Sequence, residues 1–175
     1  METILCSLEE THKCAANLVK ELSAAQSTRT SATVVGLSGE LGAGKTTFVQ
    51  AAARALGVAL TVTSPTFVIE KIYKLDGGPF KHLIHIDAYR LTDENELRML
   101  GWDDIAYDPK NIIFIEWPEN VKELLPRDTT LINLEVAGEY ERHITLKSKL
   151  KHQKSKLQIK NQNRHRQTHP DLLEF

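Results

Sequence analysis

Residues 39–46 read Gly39-Glu40-Leu41-Gly42-Ala43-Gly44-Lys45-Thr46, which fits the pattern G-x-x-x-x-G-K-[ST]. Each fixed residue type has a physical reason. Glycine takes backbone torsions, and allows a close approach to a ligand, that a side chain would block. The successive N–H groups of such a loop, through Glu40, Leu41 and Ala43 as well as the glycines, turn inward on phosphate oxygens. The positive end of a helix stands behind them. Lys45 reaches the β and γ oxygens, and Thr46 offers its hydroxyl to Mg²⁺. Thr47 is either a structural residue of the first helical turn or a further phosphate contact. The flanks agree with this reading. Thr33-Val34-Val35-Gly36-Leu37-Ser38 is a β-prone run leading in, and the alanine-rich stretch 46–56, closed by Gly57, is a helical run leading out.

Outward from this loop, two apolar runs each end in an acid: Ile84-His85-Ile86-Asp87 and Ile113-Phe114-Ile115-Glu116. As strands of a parallel sheet they deliver carboxylates to the edge where α/β ligands bind. One should hold Mg²⁺, directly or through water. The other should orient the attacking water or sense the γ-phosphate. Spacing alone does not divide these roles. No N-K-x-D stretch is present to read guanine, and no D-x-x-G follows the loop. Adenine is therefore the default base, by elimination.

The rest of the chain supplies a single α/β unit. Ser7-Leu8-Glu9-Glu10 reads as a capping box, and Leu8, Ala15, Leu18, Val19 and Leu22 at helical spacing predict an amphipathic helix over residues 8–25. Residues 58–62 read as a strand, and 67–73 as a loosely alternating run before the turn Asp76-Gly77-Gly78-Pro79. Thr92 caps a helix over 93–100, and a short helix over 119–125 stops at Pro126. Residues 130–136 and 142–146 read as a terminal hairpin. Apolar strands interleaved with helices predict a mostly parallel sheet covered on both faces.

Hydrophobic residues make up 41% and charged residues 26% of the 175, ordinary usage for a folded domain and against global disorder. Two cysteines, Cys6 and Cys14, are too few for a disulfide framework or a Cys-only zinc site. No apolar run is long enough to span a bilayer, and Met1-Glu2-Thr3-Ile4-Leu5 lacks the basic start of a secretory signal. These features predict a cytoplasmic protein with no membrane contact. His12 and His85 have no partner at ligand spacing and read as structural; His165 and His169 are weaker still as ligands.

The net charge of −1 is a sum of unlike parts. Residues 1–146 carry 14 basic and 21 acidic side chains, a net −7, and residues 147–175 carry eight and two, a net +6. The chain thus divides into an acidic nucleotide-binding domain, 1–146, and a basic tail, 147–175, that reads as solvated and disordered.

Four blocks in order carry a family resemblance: Gly39–Thr46, then Ser64-Pro65-Thr66-Phe67, then His85-Ile86-Asp87-Ala88-Tyr89-Arg90-Leu91, then Ile115-Glu116-Trp117-Pro118-Glu119. Over about residues 3–146 the chain resembles TsaE (formerly YjeE), the ATPase component of bacterial tRNA threonylcarbamoyladenosine synthesis. The resemblance implies a compact P-loop NTPase fold that binds and hydrolyses ATP with Mg²⁺ in dependence on two partners, TsaD and TsaB. TsaD, and not this component, transfers the threonylcarbamoyl group to tRNA. It implies Thr46 and Glu116 as Mg²⁺ ligands, Lys45 as the phosphate lysine and Asp87 as the residue that hydrolysis needs. Ser64 to Phe67 become a loop sensing nucleotide state. Pro65 stiffens it, and Ser64 and Thr66 supply hydroxyls. Phe67 is otherwise a core residue behind a proline turn. Trp117 matches the family's Glu-Trp pair and either closes the site, meets a partner or packs. Tyr89 and Arg90 follow Asp87, with Arg90 placed to neutralise phosphate charge or pair with an acid. The resemblance also implies that Thr11 lines the adenine pocket; otherwise it is a structural residue of the capped helix start.

The tail departs from the family pattern. Its basic stretch could touch tRNA phosphates, with the salt dependence such contacts bring; otherwise tRNA is reached through the partners. Two rival readings share the same loop. In a small-molecule kinase, Asp87 would be the base toward an acceptor hydroxyl, although the chain is short for one and shows no arginine-rich lid. In a non-hydrolysing module, ATP would only tighten an assembly.

Overall fold

The computed structural model describes residues 2–59, 62–139 and 141–147. Seven strands form one sheet: β1 (Glu2–Ser7), β2 (Thr33–Ser38), β3 (Glu70–Lys74), β4 (His82–Asp87), β5 (Asn111–Glu116), β6 (Thr130–Val136) and β7 (Glu141–Lys147). Their spatial order is β1-β7-β6-β2-β5-β4-β3. The inner strands β6, β2, β5 and β4 run parallel. Antiparallel pairs finish both edges, β3 on β4 at one and the β6–β7 hairpin followed by β1 at the other. The hairpin lies where the sequence puts it, with Val136 opposite Arg142 and Leu131 opposite Lys147.

Period-two alternation sorts the strand residues onto two cores. Val35, Leu37, Leu83, Ile112 and Phe114 face helices α1 (Leu8–Ala25) and α2 (Lys45–Ala55). Val34, Ile84, Ile86, Ile113 and Ile115 face α3 (Glu94–Met99), α4 (Trp102–Tyr107) and the 3₁₀ turns of Pro118–Leu124. Both faces are covered, which is why these strands read as continuous apolar runs. Helix α1 starts as the capping box requires: the Glu10 N–H donates to Ser7 Oγ, and the Ser7 N–H donates to Glu10 Oε2 at 2.8 Å. Helix α2 buries Ala51, Ala52 and Ala53 with Phe48 and Val49, small residues that let it lie close to the sheet and to α1. Each fully buried Leu, Ile or Phe contributes about 1.5–3 kcal/mol.

Three expectations change. Strand β1 is absent from the sequence reading; it pairs only with β7, some 140 residues away, and nothing local announces it. Val58, Ala59 and Val62 are not in a strand, and Leu60 and Thr61 lie outside the described residues. The segment after Trp117 is a pair of 3₁₀ turns and not one helix, since Val121 at φ −134° breaks it. Of the basic tail, 147–175, only Lys147 is described, as the last residue of β7. Among the described residues no helix is long and apolar enough to cross a membrane.

Candidate functional site

The strand–loop–helix unit forms from β2 into α2 through Gly39–Gly44. Gly39, Gly42 and Gly44 hold φ of 138°, 80° and 99°, and Gly44 is the left-handed cap from which α2 starts. Leu37, Glu116 and Asp87 lie abreast on β2, β5 and β4. Sheet alternation turns Glu116 and Asp87 toward the α2 side, so both carboxylates stand at the sheet edge beside the loop. Asp87 is 5% and Glu116 3% exposed.

Thr46 Oγ1 donates to Glu116 Oε1 at 2.8 Å. A hydroxyl and a carboxylate oxygen meeting at the mouth of the loop are hard donors suited to Mg²⁺. That ion takes one or two carboxylates and completes its shell from water and phosphate. Among the described residues no three His, Cys, Asp or Glu cluster to hold a metal by themselves. The donor set therefore fits Mg²⁺ bound together with a nucleotide and does not fit a dedicated protein cage.

Lys45 folds back over its own loop. Its Nζ donates to Gly39 O at 2.7 Å and Glu40 O at 2.9 Å, and lies 3.9 Å from the centre of the Trp117 ring. Burial pushes the Lys45 pKa below the ordinary lysine value, while Glu116, Glu119 and Asp87 pull it back up. Trp117 reaches this position because its backbone sits in the left-handed region, φ 58° and ψ 51°, a conformation that costs a bulky residue about 1–3 kcal/mol. The Trp117 N–H donates to Leu37 O at 3.1 Å, and its ring packs on Tyr89 with centres 5.1 Å apart. Trp117 thus packs between the Lys45 ammonium and the Tyr89 ring.

Ser64 and Thr66 close on Asp87: both hydroxyls donate to Oδ2, Ser64 Oγ at 3.4 Å, while the Tyr89 N–H donates to Oδ1 at 3.1 Å. Pro65 O accepts the N–H groups of Val68 and Ile69, winding the loop into a turn that leaves Ile69 at φ 64°. Phe67 is not in the core. It is 87% exposed, with the Arg90 guanidinium 5.1 Å from its ring centre. Arg90 thus packs on the loop beside Asp87, and Tyr89 is half-exposed.

A cavity of about 200 Å³ opens beside the loop, lined by Leu8, Thr11, Ala43, Gly44, Thr47 and Arg142 among others. Thr11 is among the lining residues, with its hydroxyl given to Ser7 O at 2.9 Å. Leu41 extends from the loop into solvent.

Arg142 escaped the sequence reading, and His85, read from sequence as structural, touches a residue of the site. Arg142, on β7, donates from Nε to Ala43 O at 3.1 Å and from Nη1 to Gly138 O and Glu141 O, tying the loop to the terminal hairpin. No local signal marks it. His85 Nε2 lies 2.8 Å from Glu116 Oε1 in full burial. Its signal was available: two residues before Asp87 on one strand means the same sheet face.

A parallel sheet core, a glycine loop capping a helix and two acids at the adjoining strand ends define a P-loop NTPase fold. The family model described as "Threonylcarbamoyl adenosine biosynthesis protein TsaE" matches residues 5–144. The chain belongs to the TsaE family. A tRNA threonylcarbamoyladenosine biosynthesis protein TsaE of Bacillus subtilis is 42% identical over 112 residues, 64% of this chain and 67% of that one. The protein of the same name from Aquifex aeolicus is 36% identical over 147 residues, 83% of this chain and 94% of its own. The crystal structure of YdiB from Bacillus subtilis superposes with a TM-score of 0.58 at 31% identity, covering 84% of this chain and 86% of that one.

Proposed function

We propose that this chain is the ATP-binding and ATP-hydrolysing component of the tRNA N6-threonylcarbamoyladenosine machinery, working in the cytoplasm with TsaD and TsaB to drive or reset the transferase cycle. The observation that carries the reading is the register of Asp87 against Glu116 at the mouth of the glycine loop. Two buried carboxylates side by side at a phosphate cradle serve distinct tasks, one toward a cation and one toward water.

Lys45 exchanges the carbonyls of Gly39 and Glu40 for β and γ oxygens of the nucleotide. Thr46 and Glu116 hold Mg²⁺, which when bound neutralises charge on the phosphates. Asp87 orients the attacking water. To do so it must give up part of its present hydrogen bonding to Ser64 and Thr66, so the loop 64–67 changes partners with nucleotide state. Partners that bind the two loop states unequally convert hydrolysis into a cycle. Phe67 and Tyr89, exposed beside Asp87, are the side chains through which that difference is felt. Residues 1–146 form the ATPase domain, and the basic tail 147–175 adds weak contact with tRNA phosphate.

The test is phosphate release from ATP with and without the TsaB–TsaD pair. Stimulation by the pair, with free phosphate as product, is the expected result. Absence of stimulation overturns the reading, and transfer of labelled phosphate to an acceptor installs the kinase reading in its place.

The metal assignment has its own measurement. Glu116→Ala should weaken ADP binding in Mg²⁺ by about tenfold or more, the worth of a contact to a charged group, and should change binding in EDTA much less. Equal losses in the two buffers would remove Glu116 from the ligand set.

A further inference from the structure

His85 is a costly way to fill a core. It is 0% exposed, and its Nδ1 is buried with no hydrogen-bond partner among the described residues. An apolar side chain in that place would avoid leaving a polar atom desolvated. The polar contact that does exist runs from Nε2 to Glu116 Oε1 at 2.8 Å. A carboxylate oxygen only accepts, so Nε2 carries the proton in this contact. The same Oε1 also accepts from Thr46 Oγ1 at 2.8 Å.

We propose that His85 is the positioning residue for Glu116: its Nε2–H fixes the carboxylate at the mouth of the glycine loop so that the carboxylate can hold a divalent cation. This rests on the reading of Glu116 as a metal ligand. The geometry separates the two donors. Thr46 is itself a proposed ligand: its oxygen lone pair goes to the cation while its O–H can still donate to Glu116, so its hold on the carboxylate is tied to the cation. His85 sits one step back on β4, on the same sheet face, and is not a ligand itself. Rigid neighbours reinforce it: His85 is paired in register with Phe114 on β5 and Lys71 on β3. Ring and carboxylate are thus carried by two hydrogen-bonded parallel strands and not by loops. A partner of this kind orients the first ligand and raises its affinity for metal, and its loss typically weakens metal binding by about 10–100-fold.

The experiment uses the full chain with ADP and Mn²⁺ as the spectroscopic probe. Free Mn²⁺ is measured by electron paramagnetic resonance for the unmodified chain, His85→Leu, His85→Gln and Glu116→Ala. ADP affinity in EDTA and thermal midpoints are measured on the same samples. His85→Leu should weaken Mn²⁺ binding to the ADP complex by about 10–100-fold while changing ADP affinity in EDTA by less than about threefold. His85→Gln, which keeps an N–H donor, should recover most of the loss. Loss with Glu116→Ala but none with His85→Leu overturns the positioning role and leaves the metal reading standing. No loss with Glu116→Ala overturns the metal reading, and His85 with it. Equal loss of ADP affinity in EDTA for both His85 variants makes the residue merely structural and also overturns the proposal. Should His85→Leu fail to fold, ¹⁵N-resolved imidazole spectra of the unmodified chain decide. An Nε2–H tautomer for His85 whose signal moves on adding Mg²⁺ to the ADP complex supports the role. An Nδ1–H tautomer, or a signal indifferent to Mg²⁺, overturns it.

Discussion

Asp87→Asn is expected to lower the partner-stimulated rate of phosphate release by about 10²–10⁴-fold, the range over which a positioned acid–base group acts. The substitution keeps the volume of a side chain that is 5% exposed, and its remaining carbonyl oxygen can still accept the Tyr89 N–H now given to Oδ1. What it loses is the second acceptor. Oδ2 takes hydrogen bonds from Thr66 and Ser64 in this structure; an amide NH₂ in that place can only donate. A water that must give up hydrogen-bond density toward residue 87 then finds a donor. Nucleotide affinity should change by less than about threefold, because Lys45, Thr46 and the loop backbone carry binding. Phosphate release and equilibrium ADP binding, measured on one preparation, check both halves. Hydrolysis near the unmodified rate removes Asp87 from the mechanism. Lost hydrolysis with intact tRNA modification favours the reading in which ATP only tightens an assembly.

The parts of this fold that the sequence announces are those whose cause is local. The glycine loop is legible because phosphate binding dictates residue types at fixed spacing. The strands ending at Asp87 and Glu116 are legible because burial on both faces makes them apolar throughout. Helix α1 announces itself twice, by its capping box and by its stripe. What stayed hidden is set by distant partners. Strand β1 exists because β7 offers it an edge. Arg142 matters because the hairpin returns beside Ala43. Helix α4 has six residues with only Trp102 and Ala106 buried, too short to show a period. The place of Phe67 stays open in the sequence because an aromatic after Pro65 is consistent both with a packed turn and with an exposed loop. The side chain's 87% exposure shows which way the loop faces. His85 lies between these cases: its face followed from alternation, but its contact needed the register of β4 on β5.

Gly39→Ala is expected to destabilise the protein by about 3–5 kcal/mol and to lose ADP affinity by more than about tenfold. Two independent penalties meet at this residue. Its φ of 138° lies in a region that only glycine occupies readily, a strain of about 1–3 kcal/mol for other residues. A Cβ there would stand 2.2 Å from Leu134 O and 3.2 Å from Leu134 C. Those are backbone atoms of β6, which pairs in parallel with β2 and cannot swing aside as a side chain tip does. Overpacking of this sort typically costs a further ~1–3 kcal/mol. Together they consume a large part of a usual stability of about 5–15 kcal/mol, a fall in melting temperature of roughly 10–15 °C for a chain of this size. Affinity falls with stability because a loop pushed off β6 carries its phosphate-facing N–H groups and the start of α2 at Gly44 out of place. Gly42→Ala is the matched control. It also has positive φ, 80°, but a Cβ would meet nothing within 4 Å, so only the left-handed penalty of about 1–2 kcal/mol applies. Thermal melts of the two variants, with and without ADP, separate clash from torsion. Equal shifts would mean that the contact with Leu134 does not hold the loop, and that backbone torsion alone accounts for the glycine.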